Sequence, residues 1–281
     1  MPNPPQKIQD DSKGLKFLYR TVPGRIVLKL LCAPGISKLC GSYLSSSLSK
    51  GLIPSFIRKN NIDISLYEEC DYHDFNEFFT RKIRPEMRPI DMTPESFTAP
   101  CDGLLSVYHI KGDTVIPVKQ SRYTIADLIG SEEKAKLFED GECLVFRLCV
   151  DHYHRYAFND NCRADKPYFI KGRLHTVRPI ALEKVPVFTS NSREITFMET
   201  ENFGTVAQIE VGAMLVGKIK NHEGITRGER GMEKGMFLYG GSTVILLLQK
   251  GKVRLFEDFY RNTAEYFETP VVWGEKIGDK E

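Results

Sequence analysis

Phe237-Leu238-Tyr239-Gly240-Gly241-Ser242-Thr243-Val244-Ile245-Leu246-Leu247-Leu248 places two glycines and a serine between two apolar, strand-like runs. A tight hairpin is one reading, because Gly-Gly suits a two-residue turn. Chemistry offers another. Glycine tolerates the strained backbone that lets a following serine hydroxyl reach the carbonyl before it. Attack of the Ser242 oxygen on the Gly241 carbonyl would turn an amide into an ester. Elimination of that ester would leave dehydroalanine, which hydrolyses to a pyruvoyl group. Alanine has no β-oxygen to lose, and threonine would give a different keto acid.

Working outward, short runs rich in Val, Ile, Leu and Phe alternate with Gly, Asn and Asp from about residue 97 onward. Strands are expected at Leu104–Ile110, Cys143–Cys149, Ile195–Glu199, Val206–Val211, Met214–Ile219, Met236–Tyr239 and Val244–Leu248. One helix is expected over Thr124–Phe138. Before residue 97 the periodicity is helical. Leu15, Leu18, Val22, Ile26, Val27, Leu30 and Leu31 recur at three- and four-residue steps, and Pro23, Pro34, Gly35 and Pro54 break the stretch into short helices. Phe75, Phe78 and Phe79 share one helix face, with Pro85 and Pro89 closing that segment. Residues 1–13 read as a loose tail. The fold class is α+β: helical N-terminal segments followed by a β-rich catalytic body, with no linker, repeat or low-complexity block.

The chain has 281 residues and ordinary globular composition, so intrinsic disorder is excluded. Its net charge of +2 is unevenly spread. Residues 1–60 hold ten Lys or Arg against Asp10 and Asp11, a net of +8, and no further acid occurs before Asp63. The segment over 1–62, cationic, amphipathic and acid-free from Ser12 to Ile62, reads as a contact with an anionic membrane surface. A helical cap with a solvated basic face is the plainer alternative. Nucleic acid fits the charge, but no binding motif or basic aromatic sheet supports it. No run of ~18 apolar residues spans a bilayer, and Met1–Gln9 is too polar for a secretory signal. Seven scattered cysteines form no CxxC pair, which argues for reduced thiols in a cytosolic protein and against zinc.

Gly240-Gly241-Ser242-Thr243 resembles the self-cleavage motif of the phosphatidylserine decarboxylase family. Other family elements follow in order. Phe75-Asn76-Glu77-Phe78-Phe79-Thr80-Arg81-Lys82 with Arg88-Pro89-Ile90 resembles the N-terminal signature. Ala99-Pro100-Cys101-Asp102-Gly103 is similar to the Pro-x-Asp-Gly segment, Tyr153-His154-Arg155 to Tyr-His-Arg, and Asn191-Ser192-Arg193-Glu194 to Asn-x-Arg. Val211–Ile219 resembles the Val-Gly-Ala-x-x-Val-Gly-x-Ile pair, and Gly228–Gly235 the Gly- and Glu-rich loop before the cut. The likeness covers about residues 70–275.

The resemblance implies autocatalytic cleavage between Gly241 and Ser242. A β chain (1–241) and an α chain (242–281) would result, completing one β-rich domain with 63–241. The cofactor implied is a covalent pyruvoyl group made from Ser242. It condenses with the amine of phosphatidylserine as a Schiff base, giving phosphatidylethanolamine and carbon dioxide without metal. The family's Asp–His pair carries over to Asp102 and, for the histidine, His154. The family's usual second histidine falls on Ala157, which cannot accept a proton. His175 and His152 are therefore substitutes for the base. The implied location is peripheral, on the cytoplasmic side of a membrane, and a homodimer is left open. Two rivals remain: a pyruvoyl decarboxylase of a soluble amino acid, and a non-processing lipid-binding relative.

Overall fold

The computed structural model describes residues 4–7, 13–31, 34–112, 114–118, 121–182, 185–213, 218–239 and 242–281. Its frame is an antiparallel sheet. In chain order we label β1 (Gly103–His109), β2 (Glu142–Leu148), β3 (Arg155–Ala157), β4 (Arg193–Thr200), β5 (Thr205–Val211), β6 (Glu233–Phe237), β7 (Ser242–Leu248) and β8 (Phe267–Val271). The large sheet runs β8-β1-β2-β7-β5-β4 and continues through Cys162–Ala164 to Arg227–Gly228. β7 lies in the middle, pairing Ser242–Leu248 with Leu148–Glu142 on one side and Thr243–Leu248 with Val211–Val206 on the other.

The unbroken apolar run of β7 follows from that position. Successive side chains point to opposite faces. Val244, Leu246 and Leu248 enter one core with Phe97, Leu105, Phe146 and Phe237. Ile245 and Leu247 enter a second with Tyr123, Phe138, Phe197 and Ile209. A strand covered on both faces needs no polar alternation.

The two apolar runs around Gly240-Gly241 do not form a hairpin. β6 pairs with β3 and with Ile219–Asn221 in a separate three-stranded sheet, so residues 238–241 connect one sheet to another. Gly240 and Gly241 themselves lie outside the described residues. Local turn chemistry could not reveal this, because the partners are distant in sequence.

The N-terminal segment holds α1 (Lys13–Arg20), α2 (Val22–Leu31), α3 (Pro34–Leu44) and α4 (Ile53–Asn60). The prolines open these helices: Pro23 and Pro54 are second residues and Pro34 is a first residue, where the missing N–H costs nothing. Tyr19 and Leu28 pack on Val177, Ile180, Ala181 and Val187. Outward, Val22, Ile26, Leu39 and Leu48 remain exposed, the last two at 73% and 80%. No helix among the described residues is long and apolar enough to cross a membrane.

α5 (Phe75–Phe79) starts at Asp74, whose carboxylate accepts from the Glu77 N–H. Phe75, Phe78 and Phe79 are all buried, as their shared face requires.

Three local expectations are corrected. The helix expected over Thr124–Phe138 is two short helices, Ile125–Ile129 and Glu132–Ala135, followed by a 3-10 turn. Gly130 adopts φ +71 and ends the first, and the Ser131 side chain caps the second. The loose tail includes Gln6–Lys7, which pairs with Glu268 and Phe267 at the sheet edge. The strand expected over Met236–Tyr239 ends at Phe237. The strand expected over Met214–Ile219 falls mostly outside the described residues, its last residue opening Ile219–Asn221.

Candidate active site

Ser242 is the first residue of β7 and is 1% exposed. Its Oγ has no hydrogen-bond partner among the described residues, although buried hydroxyls ordinarily have one. By strand alternation it shares its face with Val244, and Glu210 lies opposite Val244 in the register. On this face Lys234 Nζ donates to Glu210 Oε1 (2.8 Å) and Asn221 Oδ1 (2.9 Å), and Gln208 Nε2 donates to Glu210 Oε1 (3.0 Å).

His154 is 0% exposed. Its Nδ1 lies 2.9 Å from the His152 carbonyl oxygen, which can only accept, so Nδ1 carries the hydrogen. In the neutral ring that leaves Nε2 as an acceptor, and Nε2 is buried without a partner among the described residues. The Phe79 ring lies 4.1 Å away, centroid to centroid. Burial pushes the His154 pKa down to about 3, so the ring is neutral across the physiological range. Upstream of the cut, Phe237 N–H donates to the His154 carbonyl (2.9 Å), and Tyr239 N–H donates to Asn76 Oδ1 (3.1 Å). The segment before Ser242 is thus tied to the same turn and helix that carry His154 and Phe79.

The other two histidines are engaged differently. His152 Nδ1 accepts from the Cys149 N–H at 3.2 Å, so its lone pair there is occupied. Burial lowers its pKa, while the charges of Asp151 and Asp102 oppose that shift. His175 contacts Tyr19 of α1, with Nδ1 3.4 Å from the phenol oxygen. Its main chain is held by Asn191 Oδ1 and Nδ2.

Asp102 immediately precedes β1. Arg88 grips it in a fork, Nε to Oδ1 at 3.0 Å and Nη2 to Oδ2 at 2.6 Å, and the Trp273 N–H adds a third bond to Oδ1 at 2.9 Å. No hydrogen bond between Asp102 and a histidine occurs among the described residues. The structure therefore gathers Asp102, His152 and His154 into one neighbourhood through residues 149–155, without a direct Asp–His contact. Ala157 is buried in β3, where its N–H donates to the Pro100 carbonyl (2.8 Å).

Two arginines of the N-terminal signature belong to this neighbourhood but went unassigned in the sequence. Arg88 neutralises Asp102, and Arg81 reaches the Asp151 carbonyl. Their signal was an arginine two residues after Phe79 of the aromatic cluster and another directly before Pro89. As for metal, Cys149, Asp151 and His152 place one ligand atom each within 4.8 Å of one another. Arg147 Nη1 sits 3.2 Å from the Cys149 sulfur, a cation that opposes a bound dication. Cys101, Cys143 and Cys162 are buried free thiols.

The family model for phosphatidylserine decarboxylase matches residues 75–279. The chain belongs to the phosphatidylserine decarboxylase family. It is 42% identical to phosphatidylserine decarboxylase proenzyme 2 of Clostridium acetobutylicum over 94% of this chain and 91% of that protein. It is 38% identical to the phosphatidylserine decarboxylase proenzymes of Clostridium perfringens and Ruminiclostridium cellulolyticum, covering 95% and 94% of this chain and 94% and 90% of theirs. The family match begins at Phe75, where the aromatic face starts, and takes in both glycines, Ser242 and β7.

Proposed function

We propose that this chain is a proenzyme that cuts itself between Gly241 and Ser242 and then decarboxylates phosphatidylserine to phosphatidylethanolamine. The observation that carries the reading is that Ser242 Oγ and His154 Nε2 are both among the buried polar atoms without a partner in the described residues. A hydroxyl that no neighbour holds is free to turn toward the preceding carbonyl. A neutral imidazole with an open Nε2 can take its proton. His154 is the base in this proposal, since the lone pair of neutral His152 is on Nδ1, where the Cys149 N–H takes it, and His175 faces α1.

Cleavage proceeds by acyl transfer from the Ser242 nitrogen to its oxygen. Loss of the α-proton then expels the Gly241 carboxylate. Hydrolysis of the dehydroalanine releases ammonia and leaves the pyruvoyl group. The residues fit that group: the buried start of a central strand, paired with Leu148, holds it rigidly and out of bulk water. The pyruvoyl group supplies the electron sink for decarboxylation. Asp102 acts electrostatically, fixing Arg88 and opposing in part the burial that lowers the His152 pKa, while the Cys149 N–H on Nδ1 places the proton of the neutral His152 ring on Nε2. The His152 Nε2–H is then a candidate proton donor to product.

Membrane contact through residues 1–62 belongs to the same proposal. Exposed Val22, Ile26, Leu39 and Leu48 alternate with Lys16, Arg20, Arg25 and Lys29, a combination suited to an anionic bilayer and so to a lipid substrate. That pattern favours the lipid over a soluble amino acid.

The test is an intact-mass spectrum of the purified protein beside Ser242→Ala. Two fragments meeting at Gly241/Ser242, the smaller blocked at its N-terminus by pyruvoyl, are expected for the wild type and none for the variant. A single uncut chain in both, after long incubation with phospholipid, would sink the reading.

A further inference from the structure

Arg81 is 1% exposed and is among the largest fully buried side chains. Its Nη2 donates to the Tyr67 hydroxyl (3.0 Å) and the Asp151 carbonyl (3.3 Å), and its Nη1 makes a long bond to the Phe78 carbonyl (3.5 Å). Nε has no acceptor. The guanidinium carbon lies over the Tyr67 ring at 4.2 Å and the Phe78 ring at 5.0 Å. No carboxylate lies within ion-pairing distance among the described residues.

The other buried cations, with half-buried Arg88, set the standard. Arg88, Arg147, Arg155, Arg230 and Lys234 each pair with a carboxylate, those of Asp102, Glu268, Glu233, Asp160 and Glu210. Arg193 lacks one, but four main-chain carbonyls saturate it: Leu128, Thr189, Asn191 and Asp127. Arg81 has neither compensation. A buried charge left so is costly, and it is retained here beside the site. The Asp151 carbonyl that receives Arg81 and the His152 carbonyl that receives His154 belong to one turn.

We propose that Arg81 is the anion-binding residue of the substrate site and takes the phosphodiester of the phospholipid head group. This rests on the decarboxylase reading. The substrate has two anionic groups, and the chemistry separates them. A guanidinium on the departing carboxylate would stabilise the ground state and oppose loss of carbon dioxide. The phosphodiester keeps its charge from substrate to product, so holding it binds both states equally. Planar, forked donors suit its two free oxygens.

The experiment uses processed wild type, Arg81→Met and Arg81→Lys, with self-cleavage checked by mass. Short-chain phosphatidylserine is the substrate. Two competitors are compared: glycerophosphoethanolamine, with a phosphodiester and no carboxylate, and L-serine, with the reverse. For Arg81→Met, the Ki of glycerophosphoethanolamine and the KM should rise roughly 10- to 100-fold with kcat little changed. The Ki of serine should stay constant, and Arg81→Lys should recover part of the loss. Unaltered glycerophosphoethanolamine binding in a normally cleaved variant overturns the proposal, as does a parallel loss for serine. Should the methionine variant not fold, the lysine variant decides on the same two ratios. A wild type that never cleaves defeats the decarboxylase reading instead.

Discussion

β7 and the helices α1–α4 solve opposite problems. Every residue of β7 is buried, each side chain from Val244 to Leu248 has a core to enter, and the backbone from Thr243 onward is paired on both sides. The helices bury one narrow stripe, from Tyr19 and Leu28 to Ile53, and leave large apolar side chains in water. The strand is placed to hold one atom still. The proposed bilayer would cover the apolar surface of the helices and fit the basic residues beside it. Rigidity and unspent apolar surface thus sit at opposite ends of one chain.

The largest expected effect concerns the buried end. His154→Ala should slow self-cleavage about 10²–10⁴-fold, followed by the appearance of the smaller fragment over hours. Normal kinetics would transfer the base role to another histidine.

Next is stability. Lys234→Met leaves Glu210 buried and unpaired, which should cost about 3–5 kcal/mol, while Lys234→Met with Glu210→Leu should recover most of it. Denaturant midpoints of the single and double variants decide. Leu246→Ala should cost about 2–5 kcal/mol through the cavity it leaves.

Acid should act through His154. Its folded pKa, about 3, lies below the unfolded value near 6.5. Between those pH values the unfolded chain binds the extra proton. His154 therefore removes stability as pH falls from 6.5 toward 3, by about 1.4 kcal/mol per unit. Comparing urea midpoints of wild type and His154→Gln at pH 7 and pH 5 isolates it. Equal pH slopes would show that another group carries the acid sensitivity.

The smallest stability effect is expected at the exposed end. Leu39→Ala with Leu48→Ala should shift folding by less than about 0.5 kcal/mol per site, yet weaken binding to anionic vesicles about tenfold. A large Tm loss with unchanged vesicle binding would reverse the contrast between the two regions.

The legibility of the sequence divides along the same line. The run Val244–Leu248 announces a strand covered on both faces, and Phe75, Phe78 and Phe79 announce a buried helix face, because periodicity is local. Pairing is not local. Nothing in Gly240-Gly241 says that the runs beside it belong to different sheets, and nothing in Gln6–Lys7 points to Glu268. At the site, Ser242, Asp102 and the three histidines could be named from motifs. Their hydrogen-bond partners could not: the fork of Arg88 on Asp102 and the solitary charge of Arg81 depend on distances that only the fold sets.

Cleavage at Gly241 would leave the shorter fragment woven into the longer one. β7 would lie between β2 and β5, and β8 between β1 and Gln6–Lys7, while Lys276–Lys280 would pair with Ser96–Thr98. Such a protein folds once, as a single chain, and afterwards exists as a two-part complex that never formed by association. Its persistence would be governed by an unfolding rate rather than an equilibrium. Once taken apart, its halves would have to find each other by mass action, with recovery that depends on concentration. Maturation would exchange a reversible fold for one that is held only kinetically.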